Sequence, residues 1–293
     1  MLSKKHYIVL AILITVASVV SYLVKTSSVS GQQMKVQLLW QSDPLNCLST
    51  FAAGNNNEAW FIEQLQFFIS DIEFGSEKPG WQKANLAQTP FQAHDTVLLG
   101  TNCRAAKLQN TTSHTDNWAI EFEPSRVITE SSRIRFTLGV PFQRNHLNPI
   151  SQVSPLNIPS MFWVWQTGHK FIRLEMANKN EQWLFHLGST GCKSASVMRT
   201  PVQPCRYPNT FTFELPMAKT TGNDLVLTVD LAQLLANVEL SRLTNCQSEQ
   251  DVESCQQLFS NLLLNKKNTD KTKMNAIFNL TNTVVENKGM TVE

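Results

Sequence analysis

The chain is poor in charge, and what charge it has is dispersed. Charged residues make up 16% of its 293 positions, the formal net charge is +2, and no dense lysine and arginine run occurs. The electrostatic footprint of nucleic-acid binding is therefore missing. The short motifs of several common chemistries are missing too. There is no C-x-x-C pair for zinc or dithiol exchange and no C-x-x-C-H for haem attachment. Nor is there an H-E-x-x-H, a G-x-S-x-G or a glycine loop suited to phosphate. Without an elbow motif, nothing in the sequence positions a Ser-His-Asp triad. No fixed-period repeat and no internal domain boundary is visible.

What is present begins at the first residues. Lys4 and Lys5 precede an uncharged apolar run from Tyr7 to Val24, the charge and hydropathy profile of an export segment. The run is longer than a usual signal core and approaches the ~20 residues that span a bilayer. Two fates fit residues 1–30: cleavage after Ser30, or retention as a signal anchor with the lysines in the cytoplasm. In both, the body of the protein lies outside the cytoplasm.

Export governs how the cysteines are read. An even number in an oxidising compartment implies disulfides. The six cysteines fall into three groups, Cys47 and Cys103, Cys192 and Cys205, Cys246 and Cys255. Pairing within groups is the simplest of about fifteen connectivities.

The body reads as β-structure. "MKVQLLW" and "WFIEQLQFFISDIEF" are rich in aromatic and branched residues, and "RIRFTLGV" sets Ile134, Phe136, Leu138 and Val140 on one face. "KFIRLE", "TFTFEL" and "NDLVLTVDL" follow the same pattern. Helical patterns are few: "DLAQLLANVEL", and "SEQDVESCQQLFSNLLLN" with Ser248 and Asp251 in positions resembling a capping box. The expected fold class is all-β, an antiparallel β-sandwich with few short helices. Residues 34–264 form its body, and 265–293, with only "AIF" suited to burial, form a loosely packed tail.

Chemistry rests with a few residues. Outside the export segment the histidines are His94, His114, His146, His169 and His186. Imidazole suits copper, zinc and iron. His146 follows a strand, His186 ends one, and His169 follows "FWVWQTG", where Trp163 and Trp165 share a face if that stretch is extended. On composition alone the histidines read as ordinary polar residues and the tryptophans as core.

Three stretches taken together alter that balance. "GVPFQRNH", then "PLNIPSMFWVWQTGHKFIRLE", then "HLGSTGC" resemble, in order and spacing, the MbnP-like family of bacterial exported copper proteins. "QLQFFISDIEF" and the two later cysteine groups are also similar to the family's pattern, and the similarity runs from about Met34 to Leu264. The resemblance implies copper held by histidines and by a kynurenine, which a di-haem peroxidase-like partner makes from a W-x-W tryptophan. It implies His146 and His186 as ligands and either Trp163 or Trp165 as the precursor. His169 stands where the family more often has tyrosine, as an added ligand or a spare ring. The expected setting is the periplasm or cell envelope of a Gram-negative bacterium, with inner-membrane attachment if the N-terminal segment is kept. The expected role is copper acquisition or handling without catalysis. Two other readings stand beside it: a structural or adhesion-type sandwich without metal, and a copper-dependent redox enzyme.

Overall fold

Successive strands alternate apolar and polar residues, and two sheets bury the apolar side of that alternation between them. In the computed structural model residues 32–78, 80–104, 116–125, 127–217, 225–266 and 276–286 are described. The export-type segment 1–30 and His114 lie outside them. The smaller sheet holds β1 (Gln32–Trp40), the two-residue β2 (Asp43–Pro44), β8 (Ala119–Phe122), β13 (Val226–Asp230) and β14 (Phe278–Thr281). The larger is built around the long β4 (Glu58–Gly75), which pairs with β7 (Thr96–Thr101), β9 (Arg133–Leu138) and β10 (Lys170–Ala177). Beyond these lie β6 (Gln92–Ala93), β11 (Gln182–Gly188) and β12 (Phe211–Pro216), and the short β3 (Phe51–Ala53) and β5 (Trp81–Lys83) also pair with β4. The pairings are antiparallel except that of β1 with β13, which is parallel.

Inside, Ile134, Phe136 and Leu138 of β9 meet Phe67 and Phe68 of β4 and Phe213 of β12 in one core. The alternation fails along the middle of β4, where Gln64, Gln66 and Ser70 are buried as well. Gln64 donates to Gln66 at 2.6 Å, and the polar layer above these residues belongs to the candidate site described below.

The C-terminal segment differs from expectation. Ala276, Ile277 and Phe278 are buried, and β14 pairs with β13. The Phe278 ring lies 4.7 Å from Phe213 and 5.2 Å from Phe136 between centroids. The cause is the aromatic payload of one side chain: a short apolar triplet is enough to dock a strand when the sheet edge offers backbone partners.

All three cysteine pairs are bridged as grouped: Cys47–Cys103, Cys192–Cys205 and Cys246–Cys255. The last ties the helix Glu253–Lys266 to the edge of β11, where His186 donates its backbone N–H to Cys246 at 2.8 Å. Ser248 does not cap that helix. Its hydroxyl accepts from the Gly188 N–H at 2.9 Å and donates to the His186 carbonyl at 2.9 Å, so it braces the strand that carries His186.

Candidate metal centre

Strand pairing sets the site. Across β10 and β11, Arg173 stands opposite His186, Glu175 opposite Leu184 and Lys170 opposite Gly188. A β-bulge between Lys170 and Ile172 shifts the register. Lys170 Nζ and Arg173 NH1 both donate to the Ser160 carbonyl, at 2.9 and 3.2 Å, which shows that they share one face.

His186 is buried, and its Nε2 lies 3.1 Å from Glu175 Oε1. A carboxylate only accepts, so Nε2 carries the proton and Nδ1 keeps its lone pair. That Nδ1 is buried and has no hydrogen-bond partner among the described residues. Burial lowers the His186 pKa, Lys170 and Arg173 lower it further, and Glu175 opposes them. The ring is therefore neutral near pH 7, and its contact with Glu175 is a hydrogen bond rather than an ion pair. Glu175 is itself held from two sides. Arg173 Nε donates to Oε1 at 2.6 Å and Arg104 NH1 to Oε2 at 3.2 Å, while Arg104 also pairs with Glu63. Burial would raise the Glu175 pKa, but the hydrogen bonds from His186 and Arg173 outweigh it and bring it down to about 2.

The double-tryptophan stretch is not extended. Phe162 bridges to His169, Trp163 N–H donates to the Gly168 carbonyl at 3.0 Å, and Gly168 N–H returns to Val164 at 2.7 Å. The chain turns at residues 164–168, so alternation does not place the two indoles on a common face. Gly168 makes the turn practicable: its φ is +79°, and a Cβ there would lie 2.5 Å from the Asn145 carbonyl oxygen. Trp163, at the start of the turn, lays its ring edge on Gly188, where an added Cβ would meet Trp163 Cζ3 at 2.5 Å. Gly188 and His186 are two residues apart on one strand and share a face. Lys170 Nζ lies 5.9 Å from the centroid of the same indole.

Trp165, by contrast, turns its backbone toward His146. The Trp165 carbonyl accepts from His146 Nδ1 at 3.1 Å, which leaves Nε2 with the lone pair. Asn145 Nδ2 lies 3.2 Å from that nitrogen and Cys205 Sγ 3.6 Å. His146 caps the short helix Phe142–Asn145 and is buried; burial lowers its pKa against the carbonyls of Trp165 and Gln166.

The geometry thus sorts the expected residues. His186 and Trp163 share a face of β11. His146 lies in a second network, where its ring and the sulfurs of Cys192 and Cys205 bring their ligand-type atoms within 4.8 Å of one another. The double-tryptophan turn joins the two. His169 has no nitrogen to offer a metal: Nδ1 faces the Asn145 carbonyl at 3.0 Å and Nε2 the Leu156 carbonyl at 2.9 Å. The ring is fully buried between Phe68 and Phe162, so the expectation of an added ligand gives way to that of a core strut. His94 is exposed in a turn, with φ +59°.

Sequence reasoning missed Glu175, Arg173 and Ser248, which orient His186, and Asn145, which holds both His146 and His169. The signal for the first two was "RLE" on a strand whose outer face is covered, and a cover cannot be read from alternation.

A family model described as MbnP matches residues 29–256. Among solved structures, MbnP from Methylosinus trichosporium is similar, with a TM-score of 0.65 and 19% identity over 78% of this chain and 87% of that one. No curated protein matches.

Proposed function

Because the chain belongs to the MbnP family, whose model covers most of it, we propose that it is an exported, non-enzymatic copper-binding protein, its ligands completed by oxidation of Trp163 to kynurenine. The observation that carries this reading is His186 Nδ1, a buried lone pair with no partner among the described residues, on a ring whose other nitrogen is fixed by a carboxylate. Carboxylate-fixed imidazoles of this kind are the usual second half of a metal site.

The donor set fits copper. Of the two expected histidines, His186 keeps an unpartnered Nδ1 lone pair at this face whereas His146 belongs to the second network, and neutral imidazole suits this ion. Indole nitrogen is a donor only, so the unmodified ring is a poor ligand. Opening the ring with two equivalents of peroxide, each reduced to water, and hydrolysing the resulting formyl group off as formate leaves an aromatic amine and a ketone where Trp163 now touches Gly188. When bound, the ion would supply nothing but its own transport or storage, with the chain's residues setting its environment. Glu175 holds the His186 tautomer, and Arg173 and Arg104 hold Glu175. Lys170 and Arg173 place positive charge beside His186, which disfavours a divalent ion more than a monovalent one. Three formed disulfides fit a periplasmic or cell-envelope setting.

The oxidant in this reading is a di-haem peroxidase-like partner consuming peroxide. Co-expression with such a partner, followed by mass spectrometry of the 161–171 peptide and metal analysis, tests it. The expected result is modification at Trp163 and retained copper that is lost in His186→Ala. An intact Trp163 in copper-loaded protein would overturn the kynurenine, and copper retention unaffected by His186→Ala would overturn the site.

A further inference from the structure

We propose that His146, Cys192 and Cys205 form a second metal site, closed while the Cys192–Cys205 bridge is intact, opened by its reduction, and suited to copper(I). The site needs neither His186 nor a modified tryptophan, so it goes beyond the centre proposed above.

Three observations carry it. First, the nitrogen carries a lone pair, which the Asn145 amide caps at 3.2 Å. His146 donates Nδ1–H to the Trp165 carbonyl, which leaves the Nε2 lone pair 3.6 Å from Cys205 Sγ. The three ligand-type atoms lie within 4.8 Å of one another.

Second, backbone pairing holds the cysteines opposite each other independently of the bridge. Thr190 and Tyr207 exchange N–H···O bonds of 2.9 and 3.0 Å, and Arg206 N–H donates to the Gly191 carbonyl at 3.3 Å. Gly191 permits this approach: its φ is +67°, and a Cβ there would lie 2.9 Å from the Arg206 Cβ. Breaking the S–S bond leaves two thiols still facing one another and His146.

Third, this bridge is the reachable one beside a histidine. Cys192 is half-buried, and a cavity of about 310 Å³, lined by Asn145, Ser189, Pro204 and Cys205, opens beside the bridge. Cys246 and Cys255 are fully buried, with Glu249 as their neighbouring ligand-type group and no histidine within ligand distance among the described residues. Cys103 is fully buried and its partner Cys47 half-buried, but no histidine among the described residues stands within ligand distance of that bridge.

The chemistry balances with a thiol reductant. Two reductant thiols give up two hydrogens and become a disulfide, while the Cys192–Cys205 bond breaks and two S–H groups form. Copper(I) then displaces both protons to solvent as two Cu–S bonds form, and His146 Nε2 donates its lone pair once the Asn145 amide swings aside. The ion does not change oxidation state. Two thiolates and an imidazole are a soft donor set that copper(I) favours.

The test uses the full exported body, expressed without an oxidising partner so that the tryptophans stay intact. Stepwise reduction with dithiothreitol is followed by alkylation and peptide mapping. After the reductant is removed anaerobically, copper(I) is titrated against a chromogenic chelator, with sulfur-to-copper absorption in the ultraviolet as a second readout. The first thiols to be released should be Cys192 and Cys205, and the reduced protein should then take up one copper(I) per chain with the sulfur-to-copper band. His146→Ala should weaken that uptake by about tenfold or more, and His186→Ala should leave it unchanged. Equal copper(I) affinity in oxidised and reduced protein, or no loss in His146→Ala, would overturn the proposal. So would dependence on His186, which would put the ion at the other centre. Circular dichroism of the reduced protein guards the result: a chain that unfolds on reduction shows that the Thr190–Tyr207 pairing does not hold the thiols together, which also overturns it.

Discussion

Glu175 and His186 stand diagonally across β10 and β11 with Oε1 3.1 Å from Nε2, and this single contact decides which imidazole nitrogen is free. Replacing the carboxylate is therefore a sharper probe of the site than replacing the ring. In metal-free protein, nitrogen NMR of His186 should report an Nε2–H tautomer in the parent. In Glu175→Leu that preference should be released, while Glu175→Gln, which keeps an acceptor oxygen, should retain much of it. Copper affinity of matured protein should fall by roughly 10–100-fold in Glu175→Leu.

Gly188 is the second lever. An alanine methyl there would sit 2.5 Å from the Trp163 ring and 2.8 Å from the His169 carbonyl oxygen. Overpacking of this kind costs about 1–3 kcal/mol. Gly188→Ala should lower the thermal midpoint, alter the tryptophan near-ultraviolet circular dichroism, and reduce the yield of modified Trp163 on co-expression.

His169 and His186 should respond in opposite ways to removal. As a neutral ring His169 donates to one of two buried carbonyls, those of Asn145 and Leu156, so His169→Leu strips that donor at about 1–3 kcal/mol in denaturant unfolding. The copper stoichiometry of its folded fraction should stay unchanged. His186→Ala should cost less stability and abolish copper retention.

Acid should weaken the metal-free protein in two stages. His146, His169 and His186 all have pKa values lowered from 6.5, by burial first. The unfolded chain therefore binds protons that the folded chain refuses, and stability falls as pH drops below about 6.5. Three such groups give at most about 4 kcal/mol per pH unit. Glu175 adds a later stage. Its folded pKa is about 2 against 4.5, so its contribution is present above about 4.5 and is lost as pH falls toward 2. Thermal midpoints between pH 7.5 and 4.5 should decline steadily, and His186→Leu should reduce the slope by about one proton.

Much of this was legible in the sequence. Ile134, Phe136 and Leu138 announced β9 by period, and the cysteine groups paired as neighbours. His186 and Trp163 were visible as chemistry-bearing residues at a strand end and before a glycine. What stayed hidden depended on partners distant along the chain. Glu175 and Arg173 read as the wet side of a strand, yet the loop carrying Ser160 and Trp163 covers that side. Ser248 read as a helix cap, although its hydroxyl serves two backbone groups of a strand some 60 residues away. Gly168 was the available warning that the double-tryptophan stretch turns, since a glycine after "WQT" releases the backbone for a positive φ.

The parallel pairing of β1 with β13 governs how the chain is assembled in time. The first strand to emerge has Lys35 to Leu39 in register with Val226 to Asp230, so the smaller sheet cannot close until nearly the whole chain has been delivered. A long-range closure of this kind is slow and leaves the early segments exposed meanwhile. The bridges suit that wait. Each joins a cysteine to the next one along the chain, 56, 13 and 9 residues on. An oxidase meeting the thiols in order of arrival would form the native set by sealing each pair before the next appears, with no reshuffling step.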